Sequence, residues 1–204
     1  MWIVKIGGSL AGDPTLERWL SMLCARGGGR VTIVPGGGPF AGHVRAAQTE
    51  LGFDDLVAHN MAVLAMAQFA MLMRGICHAL VPAESIAAAQ AVAAGGRVAL
   101  WLPFEALRSH PDALTSWDVT SDSLSAWVAD RAGATRLVLV KSCAPPREAS
   151  PDAWADAGIV DRAFPAFVHG ARYAVDVVHK TGWNRVEDEL RGSRRANYAV
   201  PGAS

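Results

Sequence analysis

Twice within its first forty residues the chain passes from a short apolar run directly into glycines, and then into a segment of helical periodicity. Residues 2–6 lead into Gly7-Gly8-Ser9, and residues 31–34 lead into Pro35-Gly36-Gly37-Gly38-Pro39. Short apolar runs, the first broken only by Lys5, suit strands buried on both faces, which are parallel strands joined by helices. The pattern continues along the chain. Asp13-Pro14 starts a helix, with Asp suited to the N-cap and Pro to the first helical position. Its apolar face is Leu16, Trp19, Leu20 and Leu23, and Gly27-Gly28-Gly29 stops it. Further helices are expected over residues 40–52, 55–73, 84–94, 123–132 and 184–190. Further strands are expected over 76–81, 98–102, 136–140 and 173–178, with a last one over 197–200 and a proline-rich loop over 144–151. Strands alternating with helices give an α/β fold with a largely parallel central sheet covered on both faces.

At 204 residues the chain is one domain, long enough to bury a sizeable core. Equal numbers of basic and acidic residues, 19 of each, argue against a dedicated nucleic-acid binder. A hydrophobic fraction of 51% excludes a disordered chain. The longest stretch near the middle free of charged and histidine side chains, residues 60–73, has 14 residues, short of the ~20 that span a bilayer. Residues 1–5 place no charged region ahead of an apolar run, so no secretory signal is read. Cys24, Cys77 and Cys143 are far apart in the sequence, odd in number and without metal-ligand spacing, so no disulfide framework is expected. Cys77 and Cys143 read as structural, since nothing pairs them with a base. The expectation is a soluble cytoplasmic protein with no nucleic-acid or membrane partner.

Only three of the 19 basic residues are lysine: Lys5, Lys141 and Lys180. Lysine is a compact point charge where arginine is a planar fork. Lys5 lies near the end of the first strand, and Lys141 ends the strand over 136–140. Ligands of open α/β sheets sit outside the carboxyl ends of the strands, where both glycine loops also fall. Glycines let backbone approach a ligand, and successive N–H groups form an anion nest. A helix N-terminus after Gly36-Gly37-Gly38 favours an anion as well, and Ser9 adds a hydroxyl. Neither loop is a Walker P-loop or a dinucleotide fingerprint. Together, two glycine loops and two strand-end lysines describe a site for two anionic groups, which phosphoryl transfer requires.

Thr120-Ser121-Asp122 puts a carboxylate at a helix start. Ser121 or Asp122 caps the free N–H groups, and Asp122 either orients Lys5 or Lys141 or meets a metal-bound nucleotide. Asp118 is placed to share that task. His59 reads either as a satisfied core histidine or as an acceptor contact. Arg45 reads either as a phosphate ligand or as a surface arginine. Lys180, before Thr181-Gly182, is either a nucleotide contact or a loop lysine. The Trp and Met residues read as core, and Arg191, Arg194 and Arg195 as a solvated end.

The order Lys5-x-Gly7-Gly8-Ser9, Gly36-Gly37-Gly38, Thr120-Ser121-Asp122, Lys141 resembles the amino acid kinase family, and the resemblance runs over essentially the whole chain. That fold is shared by aspartate, acetylglutamate, carbamate, uridylate and isopentenyl phosphate kinases. The length, the W-D-V-T-S-D segment and the run Val160-Asp161-Arg162-Ala163-Phe164-Pro165 are similar to a small branch, the (5-(aminomethyl)furan-3-yl)methyl phosphate kinases of methanofuran biosynthesis. The resemblance implies a three-layer α/β/α sandwich as one domain over 1–204. The acceptor would lie over about residues 1–110 and ATP over about 111–204. Lys5 would neutralise the transferring phosphoryl group, Asp122 would organise the lysines, and Lys141 and Lys180 would meet nucleotide phosphates. Gly7, Gly8 and Ser9 would cradle the β/γ-phosphates. Gly36, Gly37, Gly38, Arg45, His59, Thr120 and Ser121 would hold the acceptor. ATP and Mg²⁺ are the implied cofactors, with no metal ligand assigned to a side chain.

The chain departs from the family after Lys141. An acidic, glycine-containing loop is common there; here the residues are Ser142-Cys143-Ala144-Pro145-Pro146. The C-terminal half is also short. The expected function is an ATP-dependent kinase that converts a small phosphate monoester to its diphosphate, the aminomethylfuranylmethyl phosphate first among candidates. A kinase of the same fold acting on a carboxylate or nucleotide is the alternative within enzymes. A non-catalytic anion- or nucleotide-binding protein of kinase fold is the alternative outside them. The apolar helices over 40–73 exceed what one domain buries, which points to a homo-oligomer.

Overall fold

The computed structural model describes residues 1–107, 115–145 and 150–196. In chain order the elements are β1 (Trp2–Ile6), a 3-10 turn (Gly8–Leu10), α1 (Thr15–Gly27), β2 (Val31–Pro35), α2 (Gly38–Leu51) and α3 (Asp55–Ile76). Then follow β3 (Val81–Ala83), α4 (Ile86–Ala94), β4 (Ala99–Trp101), α5 (Phe104–Leu107) and α6 (Ser121–Arg131). The chain continues through β5 (Arg136–Lys141), α7 (Pro151–Asp156), α8 (Phe164–Val168), β6 (Ala174–His179) and α9 (Trp183–Ala196).

The strands form one sheet in the order β3-β4-β2-β1-β5-β6, and every adjacent pair is parallel. Side chains alternate across a strand, and this alternation builds two cores. Ile3, Val34, Leu137, Leu139 and Val177 face one side, under α6, α7 and α8. Val4, Ile6, Val31, Ile33, Val138, Val140 and Val178 face the other, under α1 and α9. This is the expected three-layer α/β/α sandwich. The predicted face of α1 is the buried one: Leu16, Trp19, Leu20 and Leu23. Asp13 stabilises its start by accepting from the Thr15 N–H at 2.9 Å and from the Thr15 hydroxyl at 2.7 Å.

At four points the structure corrects or adds to the sequence reading. The strand over 76–81 is replaced by the last residue of α3, a turn, and the short edge strand β3. Ala, Met, Leu and Arg fill residues 70–74, and these are strong helix formers. The helix therefore runs on to Ile76. As a result, the 14-residue charge-free stretch lies inside a 22-residue helix, long and apolar enough by length and composition to cross a bilayer. In the fold that helix buries Val63 and Met66 in one core and Phe69, Ala70 and Met73 in the other. Thirdly, Cys24 and Cys77, far apart in the sequence and both free thiols, meet in space: packing of α1 against the end of α3 brings their sulfurs to 3.1 Å. Burial, and then the neighbouring Cys77, push the Cys24 thiol up to about 12. Fourthly, α6 starts at Ser121 instead of Ser123. The 3-10 turn, α5, α7 and α8 have no counterpart in the sequence reading. The last strand over 197–200 and residues 146–149 of the proline-rich loop lie outside the described residues.

Candidate active site at the carboxyl ends of β1 and β5

The parity of the strands decides where the lysines point. Lys5 shares the parity of Ile3, and Lys141 that of Leu137 and Leu139, so both face the side covered by α6. Asp122, the second residue of α6, lies between them. Its Oδ1 is 2.8 Å from Lys5 Nζ and its Oδ2 is 2.7 Å from Lys141 Nζ. The three side chains are only 5%, 11% and 5% exposed for Lys5, Lys141 and Asp122. Two ammonium groups against one carboxylate leave one positive charge unbalanced in a low-dielectric pocket, an arrangement that favours an anion.

The electrostatics follow from that imbalance. Burial alone raises the Asp122 carboxyl, but Lys5 and then Lys141 outweigh it and hold the group below the ordinary carboxylate value. Lys141 is pushed down to about 8, first by burial and then by repulsion from Lys5, with Asp122 opposing. Asp122 thus contacts both lysines. Asp118 is exposed and makes no ion pair with either lysine among the described residues.

The capping role assigned to Ser121 or Asp122 belongs to another residue. Asp161 Oδ2 accepts from the Thr120 N–H at 2.9 Å, the Thr120 hydroxyl at 2.8 Å and the Ser123 N–H at 3.0 Å. Its Oδ1 accepts from the Ser123 hydroxyl. A carboxylate from the loop before α8 therefore caps α6 from outside. Asp122 is left to face the lysines.

The two glycine loops lean on each other. Gly7 donates to the Val140 carbonyl at 3.1 Å, and Gly36 donates to the Ile6 carbonyl at 2.9 Å. A Cβ on Gly8 would sit 2.2 Å from the Gly38 nitrogen, and one on Gly36 would sit 2.5 Å from the Gly8 nitrogen. Gly38 itself has φ +59°, the left-handed region. The glycines thus serve close approach of loop to loop as well as the exposure of N–H groups read from the sequence. No side chain caps the start of the 3-10 turn or of α2. Ser9 reaches across to β5, donating its hydroxyl to Ser142 at 3.0 Å.

Lys180 follows β6 beside Lys141, and its N–H donates to the Lys141 carbonyl at 2.7 Å. Its ammonium turns to Asp13, at 2.5 Å. That contact, with the Thr15 hydrogen bonds, holds the Asp13 carboxyl well below the usual range. His179 closes the same corner, its ring nitrogens meeting the Thr181 hydroxyl at 2.8 Å and the Ser142 carbonyl at 3.1 Å.

A cavity opens at Thr120 and Ser121, the two residues ahead of Asp122. Gly37, Arg45, His59, Thr120 and Ser121, five of the seven acceptor residues expected from the sequence, line it. Gly36 and Gly38 do not; they hold the loops together. His59 is buried. Ala41, Ala62, Val63, Met66, Val119 and Leu124 supply apolar walls, and Asp55, Ser116 and Trp117 complete the lining. Trp117 corrects the reading of every Trp as core: the Arg45 guanidinium lies 4.0 Å over its ring, and its indole N–H donates to Gln48 Oε1 at 2.6 Å. Its place in the W-D-V-T-S-D run was the available signal. Asp55 was hidden among first-turn helix acids.

No cluster of three or more His, Cys, Asp or Glu side chains forms a cage for a divalent cation among the described residues. The one carboxylate between the lysines is already engaged by both. Among the described residues a bound metal thus finds no side-chain cage, and Mg²⁺ would enter on nucleotide phosphates, with which it keeps most of its shell.

The model of the amino acid kinase family matches residues 1–144. A [5-(aminomethyl)furan-3-yl]methyl phosphate kinase of Methanocaldococcus jannaschii is 31% identical over 129 residues, 63% of this chain. The chain spans 59% of that relative's length. Among solved structures, a UMP kinase of Bacillus anthracis superposes with a TM-score of 0.69 at 16% identity, covering 94% of this chain and 91% of its own. An isopentenyl phosphate kinase gives 0.58 at 16% identity, covering 94% and 96%.

Proposed function

Since the chain belongs to the amino acid kinase family, we propose that it is an ATP-dependent kinase that converts a small phosphate monoester to its diphosphate. The acceptor we assign is [5-(aminomethyl)furan-3-yl]methyl phosphate, the substrate in the name of the Methanocaldococcus jannaschii relative. The carrying observation is the buried Lys5–Asp122–Lys141 set with one positive charge unbalanced, next to two interlocked glycine loops.

An oxygen of the acceptor phosphate attacks the γ-phosphorus of ATP. The new P–O bond forms as the bond to the β-phosphate oxygen breaks, and ADP leaves. The attacking oxygen is already ionised at neutral pH, so no protein base is needed. What the chain supplies is positioning and charge. Lys5, on β1 just ahead of Gly7-Gly8-Ser9 and paired with Asp122, neutralises charge on the moving phosphoryl group. Lys141 and the N–H groups of Gly7, Gly8 and Ser9 hold the β- and γ-phosphates. Asp122 keeps both ammonium groups aimed. Lys180 lends positive charge to the nucleotide side, shared with Asp13. Gly37, Arg45, His59, Thr120 and Ser121 hold the acceptor, with Gly36 and Gly38 shaping that loop. The acceptor side is built on about residues 1–110 and the nucleotide side on about 111–204, with Thr120 and Ser121 reaching across.

The enzyme works in the cytoplasm as a homo-oligomer. In support of the latter, α3 leaves Leu56, Val57, Leu64, Met71 and Ile76 exposed, with Val57, Leu64 and Met71 at seven-residue spacing along one stripe.

The test is ADP release with Mg-ATP and a panel of acceptors: the furan phosphate, UMP, isopentenyl phosphate and small carboxylates. The mass of each product is determined. A gain of one phosphoryl group on the furan phosphate alone supports the assignment. Turnover only with UMP or a carboxylate moves it to the same-fold alternative. Tight binding with no ADP from any acceptor supports a non-catalytic binding protein.

A further inference from the structure

The acceptor cavity carries charge of both signs on apolar walls. Its inner end, at Gly37, Thr120 and Ser121, adjoins the lysine pair, because Thr120 and Ser121 run directly into Asp122. Asp55 lines the same cavity from the first turn of α3. Capping does not account for its carboxylate, because Asp54 already caps α3 by accepting from the Val57 N–H at 2.8 Å. Nor is it paired with Arg45, whose guanidinium lies over Trp117 instead. One Asp55 oxygen accepts from Gln48 Nε2 at 2.9 Å. The other end of that amide accepts from the Trp117 indole at 2.6 Å. Gln48 thus fixes the carboxylate and the aromatic wall relative to each other. A carboxylate has room for several further donors, and Asp55 makes no ion pair among the described residues. Between the two ends, Ala62, Val63 and Met66 suit a flat apolar body.

From this geometry we infer that Asp55 recognises a cationic amine on the acceptor. The cavity then takes a zwitterion, with its phosphate at the lysine end and its ammonium on Asp55. This rests on the kinase reading above and assigns the residue that would select an amine-bearing phosphate monoester over a neutral one. Asp55 is a specificity residue and takes no part in bond making. Arg45 and His59 are the other titratable groups facing the cavity, and neither offers a negative charge to an amine.

The experiment compares two acceptors, the aminomethylfuranyl phosphate and its hydroxymethyl isostere, on the wild type and on Asp55→Asn. The affinity of each is read by calorimetry, and kcat and KM by turnover. The wild type should prefer the amine by about tenfold, the scale of one charge-assisted hydrogen bond. That preference should vanish in Asp55→Asn through KM and Kd, with the ratio of the two kcat values unmoved. Asp55→Glu should keep part of the preference. Equal affinities in the wild type, or an Asp55→Asn preference equal to that of the wild type, would overturn the inference. A clear amine preference in binding with no phosphoryl transfer would overturn the kinase reading alone. Failure of either phosphate to bind would overturn both.

Discussion

Lys5, Lys141 and Asp122 form a charge trio whose balance is off by one, and its behaviour on titration follows. Burial and the neighbouring Lys5 push the Lys141 ammonium down to about 8. A nucleotide phosphate needs the charged form, so the Kd for ATP should rise as pH climbs through about 8. Lys5→Ala removes the repulsion that helps to depress Lys141. The pH at which ATP binding weakens should then move up, and calorimetric titrations across pH 6.5–10 would read both midpoints. A midpoint unchanged by Lys5→Ala would contradict the trio. Asp122→Asn is the opposite case, since it leaves two buried ammonium groups without a counter-charge. It should cost about 3 kcal/mol in urea unfolding. Much of this trio could be read from the sequence, because both lysines lie at or next to the ends of apolar runs. The pairing with Asp122 could be read only as one option of two. Which carboxylate at a helix start faces inward depends on what else caps the helix, and that residue, Asp161, lies about forty positions away.

Among the elements, α6 illustrates how a site depends on a remote loop. Asp161 binds Thr120 and Ser123 through both of its oxygens, so it sets the angle at which Asp122 enters. Asp161→Ala should lower stability by about 2 kcal/mol, the cost of a lost cap and its charge-assisted hydrogen bonds. It should also reduce kcat more than an equally destabilising core substitution such as Leu190→Ala, because Asp122 loses its aim. Equal loss of activity in the two variants would make Asp161 merely structural. The Val160–Pro165 run was visible in the sequence as a pattern, but its role was not, because capping from a distant loop leaves no local signature. The strand misplaced over 76–81 has a similar origin. Its apolar run fits a buried helix end as well as a strand, and only the packing of α3 across both cores decides between them.

Across the whole molecule, the alternation of apolar runs with helices was enough to give the layered α/β architecture, and two glycine loops placed the ligand side of the sheet. The order β3-β4-β2-β1-β5-β6 was not available, since it depends on crossovers that no local pattern encodes. The exposed Val57, Leu64 and Met71 stripe belongs to this scale too. The protein should sediment at a multiple of 21.5 kDa, and Leu64→Asp with Met71→Asp should reduce it to that mass without unfolding it. A wild type that sediments as a monomer at micromolar concentration would remove the homo-oligomer from the account.

Phosphoryl transfer from ATP to a phosphate monoester, beside the buried lysine pair, is the proposal on which the rest depends. The most direct measurement is product mass after incubation with Mg-ATP and the furan phosphate, for wild type and Lys5→Ala side by side. Lys5→Ala leaves a balanced Lys141–Asp122 pair, so it should stay folded by circular dichroism. A gain of one phosphoryl group is expected with the wild type, and a rate at least about a hundredfold lower with Lys5→Ala. Equal rates in the two proteins, or no phosphorylated product from a wild type that binds both substrates, would contradict the proposal.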